Sequence, residues 1–267
     1  MPASEGTILY FVAYLHSQQI CLATIKVYLA GMSNLHAENN VSCPHNTRPV
    51  GRLLDGIRRT SAATTDERAP ITLSDMRMLK ESLRKSKLSS HDQAAYWCAF
   101  CFALFGALRV SEYTSPKPTE FDATRSLSTD DISTAASSLS IRLRKSKTDQ
   151  FGHGYVISLE ETNRSICPVS AYRHYQPFRN KFSSGPLFID SNGAFLTRNN
   201  IEMAIRKFLP ASPGKKHTSH SFRIGAGTLA ASQGASTADI QQTGRWKSSA
   251  FTSYVRSQVP IRGLKPY

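Results

Sequence analysis

Residues 217–256 read HTSHSFRIGAGTLAASQGASTADIQQTGRWKSSAFTSYVR. Three helical stretches are expected here, Ser221–Ser232, Thr237–Gln242 and Ser248–Arg256, with Gly234 and Gly244 where helix stops belong. His220 and Arg223 stand three apart, so an imidazole and a guanidinium share one face of a helix start. Gly225 and Gly227 behind them let a second backbone come close. Trp246 follows Arg223 by 23 residues, and Tyr254 follows Trp246 by eight. Taken singly these are a surface arginine, a core histidine and a half-buried tyrosine. Taken in order they form a candidate site.

Upstream, the period changes. Apolar and polar residues alternate in Leu139-Ser-Ile-Arg-Leu-Arg144, and Tyr155, Ile157 and Leu159 alternate with Val156 and Ser158. The intervening SKTDQFGHG holds two glycines, which predicts a β-hairpin with a basic outer face. Arg142, Arg144, Lys145 and Lys147 crowd it; a solvated basic loop is the plain alternative. Further upstream, QAAYWCAFCFALFGAL (93–108) is apolar all round and predicts a helix buried in a core. Arg109 and Glu112 follow it. An arginine there needs a partner or faces a cleft, and an ion pair with Glu112 is the structural alternative. Cys98 and Cys101 have the spacing of redox and zinc sites. With no second pair and no histidine cluster beside them, they read as small core side chains. Cys43-Pro-His45 is equally weak.

SAATTDERAP (61–70) is polar and poor in large apolar residues, and marks the boundary between a small unit, 1–66, and a larger one, 67–267. The small unit carries helical periodicity over 7–36 with a join at Gln18-Gln19, a loop over 39–49 and a short basic helix over 50–59. Thr72 or Ser74 caps the helix that opens the larger unit. Beyond residue 165, Pro168–Tyr175 and Asn199–Leu209 are helical. The expected fold is mainly α with a small antiparallel β-sheet (α+β).

Lys and Arg number 33 against 19 Asp and Glu in 267 residues, a net charge of +14, so polyanions are the natural partners. The longest near-apolar run, Ala94–Leu108, is too short to span a bilayer, which argues against a membrane protein. The N-terminus lacks the basic start of a signal peptide, and five scattered cysteines fit a reducing compartment. An intracellular, soluble protein is expected.

The ordered set Arg109, Lys147, His220-x-x-Arg223, Trp246 and Tyr254 resembles the active site of tyrosine recombinases, the phage-integrase-like family. The resemblance covers essentially the whole chain. HSFRIGAGT, GRWKSSAFTSYVR and KSKTDQFGHG are most similar to recombinases of eukaryotic mobile elements, such as DIRS-like retroelements and Cryptons. It implies a helical DNA core-binding domain over 1–66 and a catalytic domain over 67–267. It also implies a site-specific recombinase or integrase that cleaves and rejoins double-stranded DNA through a 3′-phosphotyrosine. The reaction would need no metal, cofactor or ATP and would run in a tetramer on DNA. The place implied is the nucleus, or the nucleoid or cytoplasm of a prokaryotic source.

In that reading Tyr254 attacks the phosphate, Arg109 and Arg223 clamp its non-bridging oxygens, and Lys147 protonates the leaving 5′-oxygen. His220 takes the tyrosine proton or bonds the phosphate. Trp246 donates its indole N–H and braces the tyrosine segment, and Glu112 orients the arginines. Arg142, Arg144, Lys145, Arg245 and Lys247 are the expected DNA contacts. Three alternatives stand beside it: a type IB topoisomerase-like nicking-closing enzyme, a domesticated DNA-binding protein with a relic site, and a basic membrane- or RNA-binding protein.

Overall fold

The computed structural model describes residues 2–61, 67–145, 152–162, 164–211, 213–246 and 249–255. The chain divides into two compact units, Met1–Asp66 and Glu67–Tyr267.

In the first unit α1 (Glu5–Ser17) starts at Ser4, whose hydroxyl accepts from the Thr7 amide at 3.1 Å. Gln19, with φ +58°, turns the chain toward α2 (Leu22–Glu38). A 3-10 turn, Pro44–Asn46, leads to α3 (Arg48–Thr60). This third helix begins inside the stretch expected as a loop, because Pro49 sits in its first turn, where no backbone donor is needed. Ile8, Val12 and Leu15, Ile25 and Leu29, and Val50 and Ile57 bury one stripe from each helix in a shared small core.

In the second unit the end of the polar boundary stretch is already stitched in. Ala69 donates to the Lys216 carbonyl at 2.9 Å and Ile71 to that of Ser221 at 3.0 Å. Thr72 caps α4 (Leu73–Arg84) in a reciprocal pair with Asp75, at 3.1 and 2.8 Å. Next, α5 (Ser90–Phe105) is buried on nearly every side. It is the centre of the large core. Phe100 stacks on Phe222 at 5.2 Å, and Phe102 meets Tyr172 at 5.9 Å and Phe188 at 5.7 Å. Cys98 and Cys101 lie wholly inside it, and burial pushes both thiols well up.

After α6 (Val110–Tyr113) come β1 (Ile132–Thr134), β2 (Ser138–Leu143) and β3 (Tyr155–Glu160). They form one antiparallel sheet in the order β1-β2-β3, with Ile141 opposite both Ile132 and Ile157. The sequence pattern missed β1, since three residues are too few to display alternation. Leu139, Ile141 and Leu143 point into the core, and Arg142 faces solvent.

Then follow α7 (Pro168–Arg179), α8 (Arg198–Phe208), α9 (Ser221–Ser232) and α10 (Thr237–Gly244). The seventh helix runs past its expected end at Tyr175, and past Pro177. Arg179 secures its last turn by donating to the carbonyls of Pro186 and Ser183, both at 3.0 Å. The last expected α-helix is instead a 3-10 helix over Ser249–Tyr254. No helix among the described residues is long and apolar enough to cross a membrane.

Gly225 is what lets α9 lie against residue 71. A Cβ there would come within 2.2 Å of the Ile71 carbonyl oxygen. Gly225→Ala should therefore destabilise the protein by about 1–3 kcal/mol, the usual cost of overpacking. Gly31→Ala on α2, where a Cβ meets nothing within 4 Å, should be neutral or stabilise by about 0.5–1 kcal/mol. Urea unfolding of both variants checks the contrast.

Candidate active site

The site is assembled at the end of α5. That helix stops at Phe105, and Ala107 takes a left-handed φ of +44°. Arg109 then starts α6, and Glu112 sits in its first turn. The Glu112 carboxylate accepts from the Arg109 amide at 2.8 Å and from Arg109 Nη1 at 2.9 Å. Its oxygen Oε2 also accepts from Arg245 Nη2 at 2.8 Å. Arg245 spreads its other contacts over the carbonyls of Gly106 at 3.0 Å and Ala107 at 3.2 Å.

Arg223, in the first turn of α9, is 1% exposed. It donates to the carbonyls of Ala107 and Gly244. Trp246 covers its guanidinium at 4.8 Å from the ring centre, and the Tyr254 ring lies at 5.8 Å. Tyr254 is held among the His220 ring at 5.2 Å, the Trp246 ring at 4.9 Å and Thr228, whose hydroxyl donates to the Tyr254 carbonyl at 3.2 Å. Small residues make this contact fit. A Cβ on Gly244 would lie 2.0 Å from the Trp246 ring, and one on Gly227 would lie 3.3 Å from it and 3.5 Å from Tyr254 Cβ.

Gly244 was the expected helix stop, yet the left-handed residue is Arg245, with φ +54° and ψ +41°. That conformation costs a non-glycine residue roughly 1–2 kcal/mol. The Trp246 ring takes the space a side chain at 244 would need, which requires glycine there. Three partly buried hydrogen bonds from the Arg245 side chain hold the left-handed turn.

The charge balance is uneven. Arg109, Arg223 and Arg245 face Glu112, so the cluster carries an excess of two positive charges. Burial, then the neighbouring Arg109 and Arg245 charges, push Arg223 down to about 10, so it stays protonated at neutral pH. Burial also lowers Arg245, against the pull of Glu112. Arg223 Nε, Arg245 Nε and Trp246 Nε1 are buried without a hydrogen-bond partner among the described residues. Each orphaned donor costs about 1–3 kcal/mol unless an acceptor arrives. Excess cation plus idle donors describe a socket for an anion.

The structure brings together Arg109, Glu112, His220, Arg223, Trp246 and Tyr254. Lys147 and Lys247 lie outside the described residues. Arg142 and Lys145 are exposed on the hairpin, whereas Arg144 is tied to Asp131 at 2.7 Å. Arg245, an expected DNA contact, is turned inward in this structure. Its side chain is 7% exposed and committed to Glu112 and two carbonyls. Tyr155, on β3, lies with its ring 5.9 Å from the Arg245 guanidinium, a contact that strand alternation does not show. Tyr113, another phenol close in sequence, is 2% exposed, and burial drives its pKa upward, which makes it a poor nucleophile.

If the cluster is an anion socket, removing its carboxylate should hurt stability and sharpen the response to anions. Glu112→Gln should lose about 3–5 kcal/mol, the cost of breaking a buried ion pair. Sulfate should stabilise this variant more than chloride at matched ionic strength, and Arg109→Ala should gain least. Denaturant titrations in the two salts give the comparison.

No protein-family model matches the chain. It is 24% identical over 261 residues, 93% of this chain and 72% of the relative, to an integrase/recombinase XerD homolog from Selenomonas ruminantium. Among solved structures it is similar to the XerH site-specific recombinase bound to a palindromic difH substrate, with TM-score 0.62, 15% identity, and coverage of 94% of this chain and 68% of that one. It is also similar to the Tn1549 transposon integrase in complex with circular intermediate DNA, with TM-score 0.58, 14% identity, and coverage of 96% and 82%. A lambda integrase dimer bound to a core site matches with TM-score 0.58, 14% identity, and coverage of 99% and 82%. The chain therefore shares the fold of these DNA-bound recombinases and integrases, and its sequence is similar to that of the XerD homolog.

Proposed function

We propose that the protein is a site-specific DNA recombinase that cuts and rejoins duplex DNA through a phosphotyrosine intermediate. The observation that carries this reading is a phenol packed against a cluster of three guanidiniums with too little negative charge of its own. A phosphodiester brings one negative charge. Attack by the Tyr254 oxygen, as its proton leaves, raises the charge on the phosphorane toward two. The excess of two positive charges suits that transition state better than the ground state, and this difference is what accelerates a reaction.

Tyr254 Oη forms the bond to phosphorus, and the bond to the 5′-oxygen breaks. His220, beside the tyrosine ring, takes the phenol proton or bonds a phosphate oxygen. Arg109 and Arg223 bind the non-bridging oxygens, and Trp246 Nε1 offers a further donor. Arg223 must first exchange the Ala107 and Gly244 carbonyls for phosphate oxygens, because it is closed off from solvent here. Lys147 supplies the proton to the departing 5′-oxygen. The 3′-phosphotyrosine conserves the bond energy, so a 5′-hydroxyl from a second strand can reverse the step without ATP.

The first unit serves as the core-binding domain and the second as the catalytic domain, with Arg142, Lys145 and Lys247 on the phosphate backbone. Four protomers act together on two DNA sites. The likeness of HSFRIGAGT and GRWKSSAFTSYVR to recombinases of eukaryotic mobile elements supports a mobile element as the source and the nucleus as the place of action.

Tyr254→Phe removes one oxygen and should abolish the covalent protein–DNA adduct while leaving DNA affinity intact. Wild-type cleavage of a nicked suicide duplex should survive EDTA. A denaturing gel of labelled DNA reads both, and an adduct that persists in Tyr254→Phe overturns the assignment.

Lys147→Ala should slow cleavage by about 10²–10⁴-fold, the usual weight of a general acid. A substrate with sulfur at the 5′-bridging position leaves without a proton, so this variant should cleave it near the wild-type rate. Lys145→Ala should show neither effect.

A further inference from the structure

Arg245 was expected on the DNA, and the structure buries it instead. We infer that Arg245 is a positioning residue: it sets the spacing of the two phosphate-clamping arginines by joining Glu112 to the backbone that holds Arg223. The inference rests on the recombinase reading and deepens it.

The connection can be traced bond by bond. Arg109 Nη1 is held by Glu112 Oε1 at 2.9 Å, and Glu112 Oε2 is held by Arg245 Nη2 at 2.8 Å. Arg245 Nη1 and Nη2 also grip the carbonyls of Gly106 and Ala107, at 3.0 and 3.2 Å. Ala107 is one of the two carbonyl partners of Arg223, and Gly244, the residue preceding Arg245, is the other. One side chain thus fixes the orientation of Glu112, the left-handed turn at Ala107 and the backbone at Gly244. Trp246 comes next in the chain and carries the stacking contact to Tyr254. A displacement of Arg245 would shift Arg109 through Glu112, Arg223 through the two carbonyls, and the tyrosine through Trp246.

Guanidinium geometry is what the position requires. The acceptors are a carboxylate and two main-chain carbonyls, and a planar fork reaches all of them from a fixed orientation. An ammonium on a lysine stem is a point charge and cannot span them. Charge alone would not explain the residue, because Arg109 and Arg223 already supply cations and burial opposes a third. Its burial separates it from the exposed Arg142 and Lys145, which can meet phosphates without rearrangement.

The test uses the full chain and two readouts. Single-turnover cleavage of a nicked suicide duplex gives a rate constant, and calorimetric titration with inorganic sulfate reports the anion socket without any chemistry. Arg245→Met should fall about 10²-fold in the rate constant, as expected for a clamp misplaced by an ångström, with DNA affinity near wild type. Arg245→Lys should recover little of that loss, and it is the variant to use if the methionine form does not fold. Glu112→Gln combined with either should be no slower than the slower single variant, because both act through one connection.

Sulfate affinity should follow the same non-additive pattern. Multiplicative losses in the double variant would mean that Arg245 meets the phosphate itself, and would overturn the inference. So would a reduced amplitude with an unchanged rate constant, the sign of a purely structural role, or full rescue by lysine. If the wild type forms no adduct at all, the recombinase reading fails. The sulfate titrations still judge Arg245: unchanged affinity or additive losses reject it, and coupled losses support it.

Discussion

Glu112 is the constraint on which the site depends. One carboxylate, almost wholly buried, receives hydrogen bonds from two arginines and lies within the field of a third. Three guanidiniums without it would repel one another in a setting where water screens them poorly. A second carboxylate would halve the excess positive charge that the proposed reaction offers a phosphate. A single carboxylate leaves the cluster stable enough to fold and still short of negative charge.

The scaffold serves that cluster by bringing backbone, not only side chains, to it. The buried α5 ends in a left-handed Ala107 whose carbonyl lies between Arg223 and Arg245. The contact of Gly225 with Ile71 brings α9, and with it Arg223, against the rest of the core. Gly244 and Gly227 make room for the Trp246 ring, which lies over Arg223 and against Tyr254. Arg223 is held by carbonyls and shut away from solvent, so the state described here is closed. In the proposed reaction Arg223 exchanges these neutral partners for charged phosphate oxygens, a trade that favours the ionic ligand.

Much of this was legible in the residues themselves. The all-apolar run over 93–108 announced a buried helix, and strict alternation over 139–144 and 155–159 announced paired strands, because both patterns record which faces meet water. Thr72 or Ser74 marked a helix start, and the structure gives the cap to Thr72, paired with Asp75. Of the ordered set, Arg109, His220, Arg223, Trp246 and Tyr254 are brought together, while Lys147 lies outside the described residues. Other features lay below what a local pattern records. The three-residue β1 is too short for a period, and the 3-10 form of Ser249–Tyr254 differs from an α-helix only in its hydrogen bonding.

The residues thus determined, without reference to any fold, most secondary elements of a mainly helical protein, its strongly positive charge and a set of candidate reactive groups. Only the tertiary structure decided what each cation does. Arg142 and Arg245 are the same residue type in equally basic surroundings, yet one faces solvent on a strand and the other is locked onto Glu112 and two carbonyls. Sequence spacing cannot separate them. The partners of Arg245 are main-chain oxygens more than a hundred residues away, and every residue carries the same carbonyl. Which carbonyls are buried without a partner, and which guanidinium reaches them, is settled by packing alone.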